Sequence, residues 1–335
     1  MPRSYGSNST LCALKESTYG TKPTGNWEKF SFISADLSAE QTLISSELLG
    51  QGREPGVPFR DVIKDEGSVV VPVDTRDFGR WLQFLLGDPV SSAVAAQESK
   101  SKNTVASRAT LSGGGYIHSF SSGATTLPSF SLEIGHSNIP AFFVHTGCML
   151  NSMSLSFQRS GSANATLNII AQGENRHKVT QGGTATSRAY KPFSQFNGKI
   201  LRNGEPLANI VSAEFTYSNN MESIQTIRSD GLIEGVDPAA ITITGNIETR
   251  FGDTMLLEDA IRNNAVELEL GYQLFGDFSL FFKFHKVYLP RPRIPISGPG
   301  GVQATFNWQG ALSNKLLKSV TVELKNDVES YNHKT

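Results

Sequence analysis

Apolar and polar residues alternate along much of the chain with a period of two, the mark of strands with one buried and one wet face. The pattern is clearest where Val211, Ala213, Phe215 and Tyr217 interleave with Ser212, Glu214, Thr216 and Ser218. Ile33, Ala35, Leu37 and Ala39 alternate likewise with Ser34, Asp36, Ser38 and Glu40. Further strands are predicted through Met153 to Phe157, Val266 to Leu270 and Val320 to Leu324, and Phe278 to Tyr288 reads as an aromatic strand wetted by Lys283 and Lys286. Two stretches change to helical spacing. Phe78, Trp81, Leu82, Leu85 and Leu86 predict a helix capped by Asp74 or Thr75 and stopped by Gly87 and Pro89. Leu256, Leu257, Ala260 and Ile261 predict a shorter one, capped by Asp253 and ended at Asn263-Asn264.

The order of these elements repeats. Ser34-Ala35-Asp36-Leu37 resembles Ser212-Ala213-Glu214-Phe215, 178 residues on; Thr75-Arg76-Asp77-Phe78-Gly79 resembles Thr249-Arg250-Phe251-Gly252, 174 on; Ala165-Thr166-Leu167-Asn168 resembles Ala304-Thr305-Phe306-Asn307, 139 on. The falling offset places an insertion in the first half, and the Ser/Gly/Ala/Thr-rich stretch 88–126, with its Gly113-Gly114-Gly115 run, has the composition of a long loop. Residues 176–206 are basic, Gly-rich and poor in aliphatics, which reads as a linker. The expected organisation is therefore an arm over 1–26, a first domain over 27–175 carrying the insertion, the linker, a second domain over 207–325 and a tail over 326–335. The expected fold is mainly β: two antiparallel sandwiches or partial barrels, each with one packed helix.

Composition narrows the chemistry. Of 335 residues 38% are hydrophobic and 18% charged, enough to bury a core, and thirty basic against thirty-one acidic residues leave no surplus of positive charge for gripping nucleic acid. No apolar run approaches the roughly 20 residues of a membrane span, and Met1 to Ser9 has no signal-peptide pattern. Two cysteines, Cys12 and Cys148, make no disulfide framework or zinc spacing, so cytosolic synthesis with reduced thiols is the simplest reading. None of the six histidines falls in a metal or catalytic motif, and Gly50 to Gly56 lacks phosphate-loop spacing. We expect no catalytic residues, no metal ligands and no cofactor. The polar strand faces around Asp36, Glu214 and Glu248 offer hydroxyls and carboxylates without Lys or Arg, a surface that repels phosphate.

Three stretches carry a family resemblance. Leu127-Pro128-Ser129-Phe130 leading into Gly147, Asn151 to Leu155 and Gly161 resembles the major tail tube proteins of long-tailed bacteriophages, as do Phe193 to Met221 and the opening Glu16-Ser17-Thr18-Tyr19-Gly20-Thr21. The resemblance implies a structural virion protein, made in the host cytoplasm. Its rings stack into a tube and its inner strands line a channel through which genomic DNA passes without specific binding. It implies self-association, contacts with other tail proteins and no membrane. With a duplicated domain it favours three chains per ring over six. By the same analogy Asp36, Glu40, Glu214 and Glu248 are expected to face the lumen. The long connections around Gly50 to Gly67 and Ser229 to Pro238, with Arg53, Glu54, Arg60, Asp61, Asp230 and Glu234, are expected to reach the adjacent ring. A tail terminator or baseplate hub shares this logic, and a carbohydrate-binding β-sandwich remains the alternative of another class. Pro290 to Pro299 departs from the pattern and reads as a rigid polyproline arm.

Overall fold

The computed structural model describes residues 3–46, 48, 53–94, 115–274, 278–296 and 298–332. The first half runs through Ser9–Lys15 (β1), Glu28–Phe30 (β2), Ser34–Ala35 (β3), Ser38–Ile44 (β4) and Phe59–Pro72 (β5), then the helix Phe78–Leu86 (α1). It continues through Val90–Val94 (β6), Gly115–Ser121 (β7), Phe130–His136 (β8), Ala141–Phe157 (β9), Asn164–Ala171 (β10) and Gly173–His177 (β11). The second half holds Gly198–Arg202 (β12), Glu205–Pro206 (β13), Ile210–Ser218 (β14), Glu222–Ile224 (β15), Gly235–Asp237 (β16), Thr242–Arg250 (β17) and the helix Met255–Arg262 (α2). Val266–Gln273 (β18), Ser279–Tyr288 (β19), Gln303–Gly310 (β20) and Val320–Asn326 (β21) complete it. The chain is mainly β, 51% strand.

One sheet crosses the boundary between the halves. Its order is β3/β4, β5, β10, the C-terminal part of β9, β14, β17, β20, every neighbour antiparallel. Behind it lie two further strand sets: β2, β1, β8, the N-terminal part of β9 and β11; and β12, β18, β19, β21, β7 and β6. Among the described residues the largest of three apolar clusters runs through both halves, from Leu11 to Tyr331. β7 belongs to the first half yet pairs with the last strand, Val322 opposite Phe120.

The repeat is visible in the registers. Ser34 stands opposite Val70 and Ala35 opposite Val69; 178 residues on, Ser212 stands opposite Glu248 and Ala213 opposite Ile247. Thr166 pairs with Val70 as Thr305, 139 on, pairs with Glu248. The same register recurs at a glycine. A Cβ on Gly67 would come within 2.6 Å of Leu37 Cα and 2.7 Å of the Asp36 carbonyl oxygen, and one on Gly245, 178 on, would run into the carbonyl oxygen of Glu214. Only hydrogen fits where these backbones cross so closely. The Thr75 and Thr249 likeness is not equivalent, because Thr249 lies inside β17, opposite Ala304, and so corresponds to Val71.

α1 is enclosed on all sides: its nine residues are buried, with Trp81 4.8 Å from Phe30 and Phe84 stacked on Phe130 at 4.1 Å. Asp74 holds its start, one carboxylate oxygen accepting from the backbone N–H of Arg76 (3.2 Å), Asp77 (2.6 Å) and Phe78 (3.1 Å). Gly87 ends it at φ 94°. An ion network locks the same corner, with Glu28 meeting Arg80 at 2.8 Å and Arg188 at 2.9 Å, and Arg188 reaching Asp77 at 3.1 Å. α2 is a surface helix. Leu256, Asp259 and Ala260 are buried while Ile261, expected in the stripe, is exposed.

Several boundaries differ from expectation. Residues 1–26 contain β1, paired on both sides by β2 and β8, and Leu11 and Ala13 are core. The segment 176–206 ends in β12, bonded to β18, and β13, bonded to β12, and its start is held by side chains: Glu133 accepts from the Thr180 hydroxyl (2.6 Å) and the Gln181 N–H (2.5 Å). Such backbone is ordered by hydrogen bonds instead of apolar burial, which is why its composition resembled a linker. Within 88–126 the ends are strands, β6 and β7, paired Val90 to Ser119, and its Gly113-Gly114 lies outside the described residues. The tail is anchored, Tyr331 being fully buried with its ring against Gly79.

Candidate assembly surfaces

The sheet that spans both halves has an apolar inner face and a polar outer one. Ala213, Phe215 and Tyr217 of β14 and Met153, Leu155 and Phe157 of β9 point into the core. On the opposite face Thr166, Ser154, Thr216, Thr244 and Gln309 form one row across five strands, the Ser154 and Thr216 hydroxyls 2.8 Å apart. Ser68, Asn168, Ser152, Ser218 and Thr242 form the next, Asn168 donating to Ser152 at 2.8 Å. Short hydroxyls and amides on this face satisfy each other, and towards β20 Glu214, Thr216, Thr244, Asn246 and Gln309 line a shallow depression in it.

The four expected lumen carboxylates lie on this face. Asp36 accepts from the Ser68 N–H; Glu214 accepts from the Asn246 amide at 2.5 Å; Glu248 accepts from the Ser212 hydroxyl at 3.0 Å; Glu40 stands opposite Lys64. The registers place residues 178 apart in sequence, Asp36 and Glu214, at matching positions of the two halves, with β5, β10 and β9 between them. Cations share the face at its two ends, Lys64 on β5 and Arg250 on β17, two residues from Glu248.

The sheet has two borders. At one, β3 and β4 pair in ladder register only with β5 among the described strands, with the Ala39 N–H donating to the Glu174 side chain of β11. At the other, β20 bonds β17 throughout but β19 only through Val287 and Tyr288. Beside β20, Arg293 and Pro295 line a cleft with Glu248, Gln303 and Thr305.

The expected inter-ring residues gather at one end of the molecule. β4 and β5 form a long hairpin, so Arg60 and Asp61, read from sequence as loop, lie on a strand that starts at Phe59. Asp61 accepts from the Thr42 hydroxyl at 3.3 Å, and Arg53 and Glu54 are exposed in the turn; Gly50 lies outside the described residues. The second-half loop folds onto this hairpin, the Ile63 N–H donating to the Gly231 carbonyl at 3.0 Å and the Gln172 amide to the Ile233 carbonyl at 3.2 Å. Arg228 organises that loop, meeting Asp230 at 2.6 Å and Glu234 at 2.9 Å, and its hydrogen bond holds the Asp230 carboxyl well below the usual carboxylate range. Leu43, Val57, Phe59 and Val62 are exposed on the same hairpin.

Among the described residues no group of three or more His, Cys, Asp or Glu could hold a metal ion, and no helix is long and apolar enough to cross a membrane. The buried His145 meets Asp65 at 2.9 Å and ties β9 to β5; it stands opposite Leu132, whereas His136, four residues further along β8, faces Ala141.

The sheet is broad, polar on one face and, among the described strands, unpaired along its β3–β4 border, which leaves backbone groups free there. Residues 6–310 match the family model described as phage tail tube protein, and the chain belongs to that family. Membership makes it a structural component of a phage tail. No curated protein matches it.

Proposed function

We propose that the chain builds closed rings from three copies, each giving two wall segments, and that the rings stack into the tail tube through which the genome passes. The repeated register carries this reading. Two equivalent strand sets already joined edge to edge within one chain supply a third of a six-segment wall, and closing the remaining borders against neighbours removes open strand edges. The polar face is assigned to the bore, where Asp36, Glu40, Glu214 and Glu248 keep phosphate from settling. The β4–β5 hairpin and the loop around Asp230 are assigned to the contact with the next ring, since both lie at one end and expose apolar side chains there.

Negative-stain microscopy of concentrated protein tests the assembly. Stacked rings with a central channel, and a ring mass of three chains, support the reading; a monodisperse monomer at every concentration overturns it. For the bore, Glu214→Lys with Glu248→Lys leaves tubes intact and slows DNA ejection in a salt-dependent way, whereas unchanged ejection from assembled tubes removes these carboxylates from the lumen.

A further inference from the structure

The internal junction shows what the open border lacks. In the first half the chain leaves Met149, opposite Ile170, and continues through Ser152 to Phe157 as the strand that joins β10 to β14. In the second half Tyr288 stands opposite Gln309, both residues displaced by 139 from the first pair. The chain beyond Tyr288 therefore stands where that joining strand stands, and residues 291–296 correspond to 152–157. Their pattern agrees through Pro295: Pro292 and Ile294 are half-buried with Ile294 against the core, while Arg291, Arg293 and Pro295 are exposed; Ile296, the counterpart of the buried Phe157, is exposed. Yet none of the described backbone hydrogen bonds involves residues 290–296. The second half holds its fourth wall strand in place but unbonded.

The matching vacancy lies at the other border. β14, which receives the joining strand, corresponds to β3 and β4, displaced by 178. Carrying over the internal register, Phe157 opposite Ala213 and Leu155 opposite Phe215, sets Ile296 opposite Ala35 and Ile294 opposite Leu37. The Asp36 N–H already points to Ser68 in β5, so Leu37 presents its backbone outward, as the alternation of an antiparallel ladder requires. Leu37 and Ile294 both have an N–H to exchange. Pro292 falls opposite Ala39, whose own N–H is held by the Glu174 carboxylate at 3.2 Å. Charges match too. Arg291 falls opposite Glu40, and Arg293 opposite Ser38 with Asp36 and Glu40 diagonal to it; none of these four charged side chains takes part in a described ion pair. The internal junction has neutral residues at these places, Ser152 facing Ser218 and Ser154 facing Thr216.

We propose that residues 291–296 of one copy complete the sheet of the next by pairing antiparallel with its β3–β4 border, Ile294 opposite Leu37 and Arg291 opposite Glu40. This rests on the reading above that copies join side by side. Oxidation of the double variant Ser38→Cys with Arg293→Cys tests the register, because both positions are exposed and face each other in a non-hydrogen-bonded pair, where Cα atoms sit close enough for a disulfide. The expected result is a ladder of disulfide-linked dimers and trimers on non-reducing gels, absent from either single variant. Rings seen by microscopy without any cross-link overturn the register while leaving the ring reading standing; absence of both rings and cross-links overturns the two together. Charge gives an independent readout. Arg291→Glu with Arg293→Glu raises the concentration needed for assembly about tenfold or more, and adding Glu40→Arg and Glu66→Arg in the same chain, Glu66 standing beside Ser38 on β5, restores it. Equal assembly of the double variant and the unmodified chain in low salt counts against the pairing.

Discussion

Replacing Glu28 with Gln tests the corner that fixes α1. Burial alone would raise this carboxyl, and the guanidinium groups of Arg80 and Arg188 reverse that, holding it at about 2 against an ordinary 4.5. At about 1.4 kcal/mol per pH unit, the difference is worth about 3 kcal/mol. That agrees with the roughly 3–5 kcal/mol lost when a buried ion pair is left with one partner. Solvent discounts it little, since the Glu28 and Arg80 side chains are only 13% and 4% exposed. The folded-state value lies below the unfolded one, so the contribution is complete above pH 4.5 and drains away as pH falls toward 2. Asp77 works in the opposite sense. Burial first, and then Asp74, push it up to about 6 against the pull of Arg188, so its contribution is present below 3.8 and lost as pH rises through 6. Glu28→Gln removes one of the charges that raise Asp77, which places the net loss at the lower end of the range. Urea unfolding at subunit concentrations too low for assembly, repeated from pH 7 to pH 2, reads the difference between variant and unmodified chain. The expected loss is about 3 kcal/mol at pH 7, shrinking toward zero in acid. A loss below about 1 kcal/mol at pH 7, or one that stays constant down to pH 2, refutes the account.

Gly245→Ala drives a methyl into the Glu214 carbonyl and the Trp308 ring and should cost about 1–3 kcal/mol, seen as a lower melting temperature; an unchanged melt removes the close crossing from the argument. Tyr331→Ala empties a fully buried site and breaks the hydroxyl's link to Asn326, for an expected loss of about 3–5 kcal/mol in urea unfolding, although the residue lies near the end of the chain. His118 is buried, its Nε2 2.9 Å from the Val328 carbonyl and its Nδ1 2.7 Å from the Ser91 hydroxyl; burial lowers its pKa despite these bonds. Its share of stability is present above 6.5 and lost as pH falls, so His118→Gln should flatten the decline in melting temperature between pH 7 and pH 5, and an unaltered slope counts against it.

The strands that one can read from the sequence are those half-buried in a regular ladder. β14, β21 and the end of β9 alternate because one face meets the core and the other meets water. β5 hides its first half, since Phe59 to Lys64 stands out in the hairpin with no core to impose a period. The repeat was legible at Ser34 and Ala165 because those residues sit at equivalent rungs, and the Gly67 and Gly245 pair would have been a firmer sign, glycine being required there by backbone contact. The polar face was legible as composition, but its continuity across both halves was not, because it depends on β9 pairing with β14 over a long separation. Residues 291–296 concealed their place because proline removes the donors that mark a strand.

The pairing of β7 with β21 has a consequence for biosynthesis. The hairpin of β6 and β7 leaves the ribosome early, yet its outer neighbour begins only at Val320. At the usual pace of roughly 5–20 residues per second, the nascent polypeptide waits on the order of 10–40 s with that edge bare. Since Tyr331 also seals the enclosed helix, a subunit interrupted late in translation would carry nearly all its sequence and still lack the closing piece.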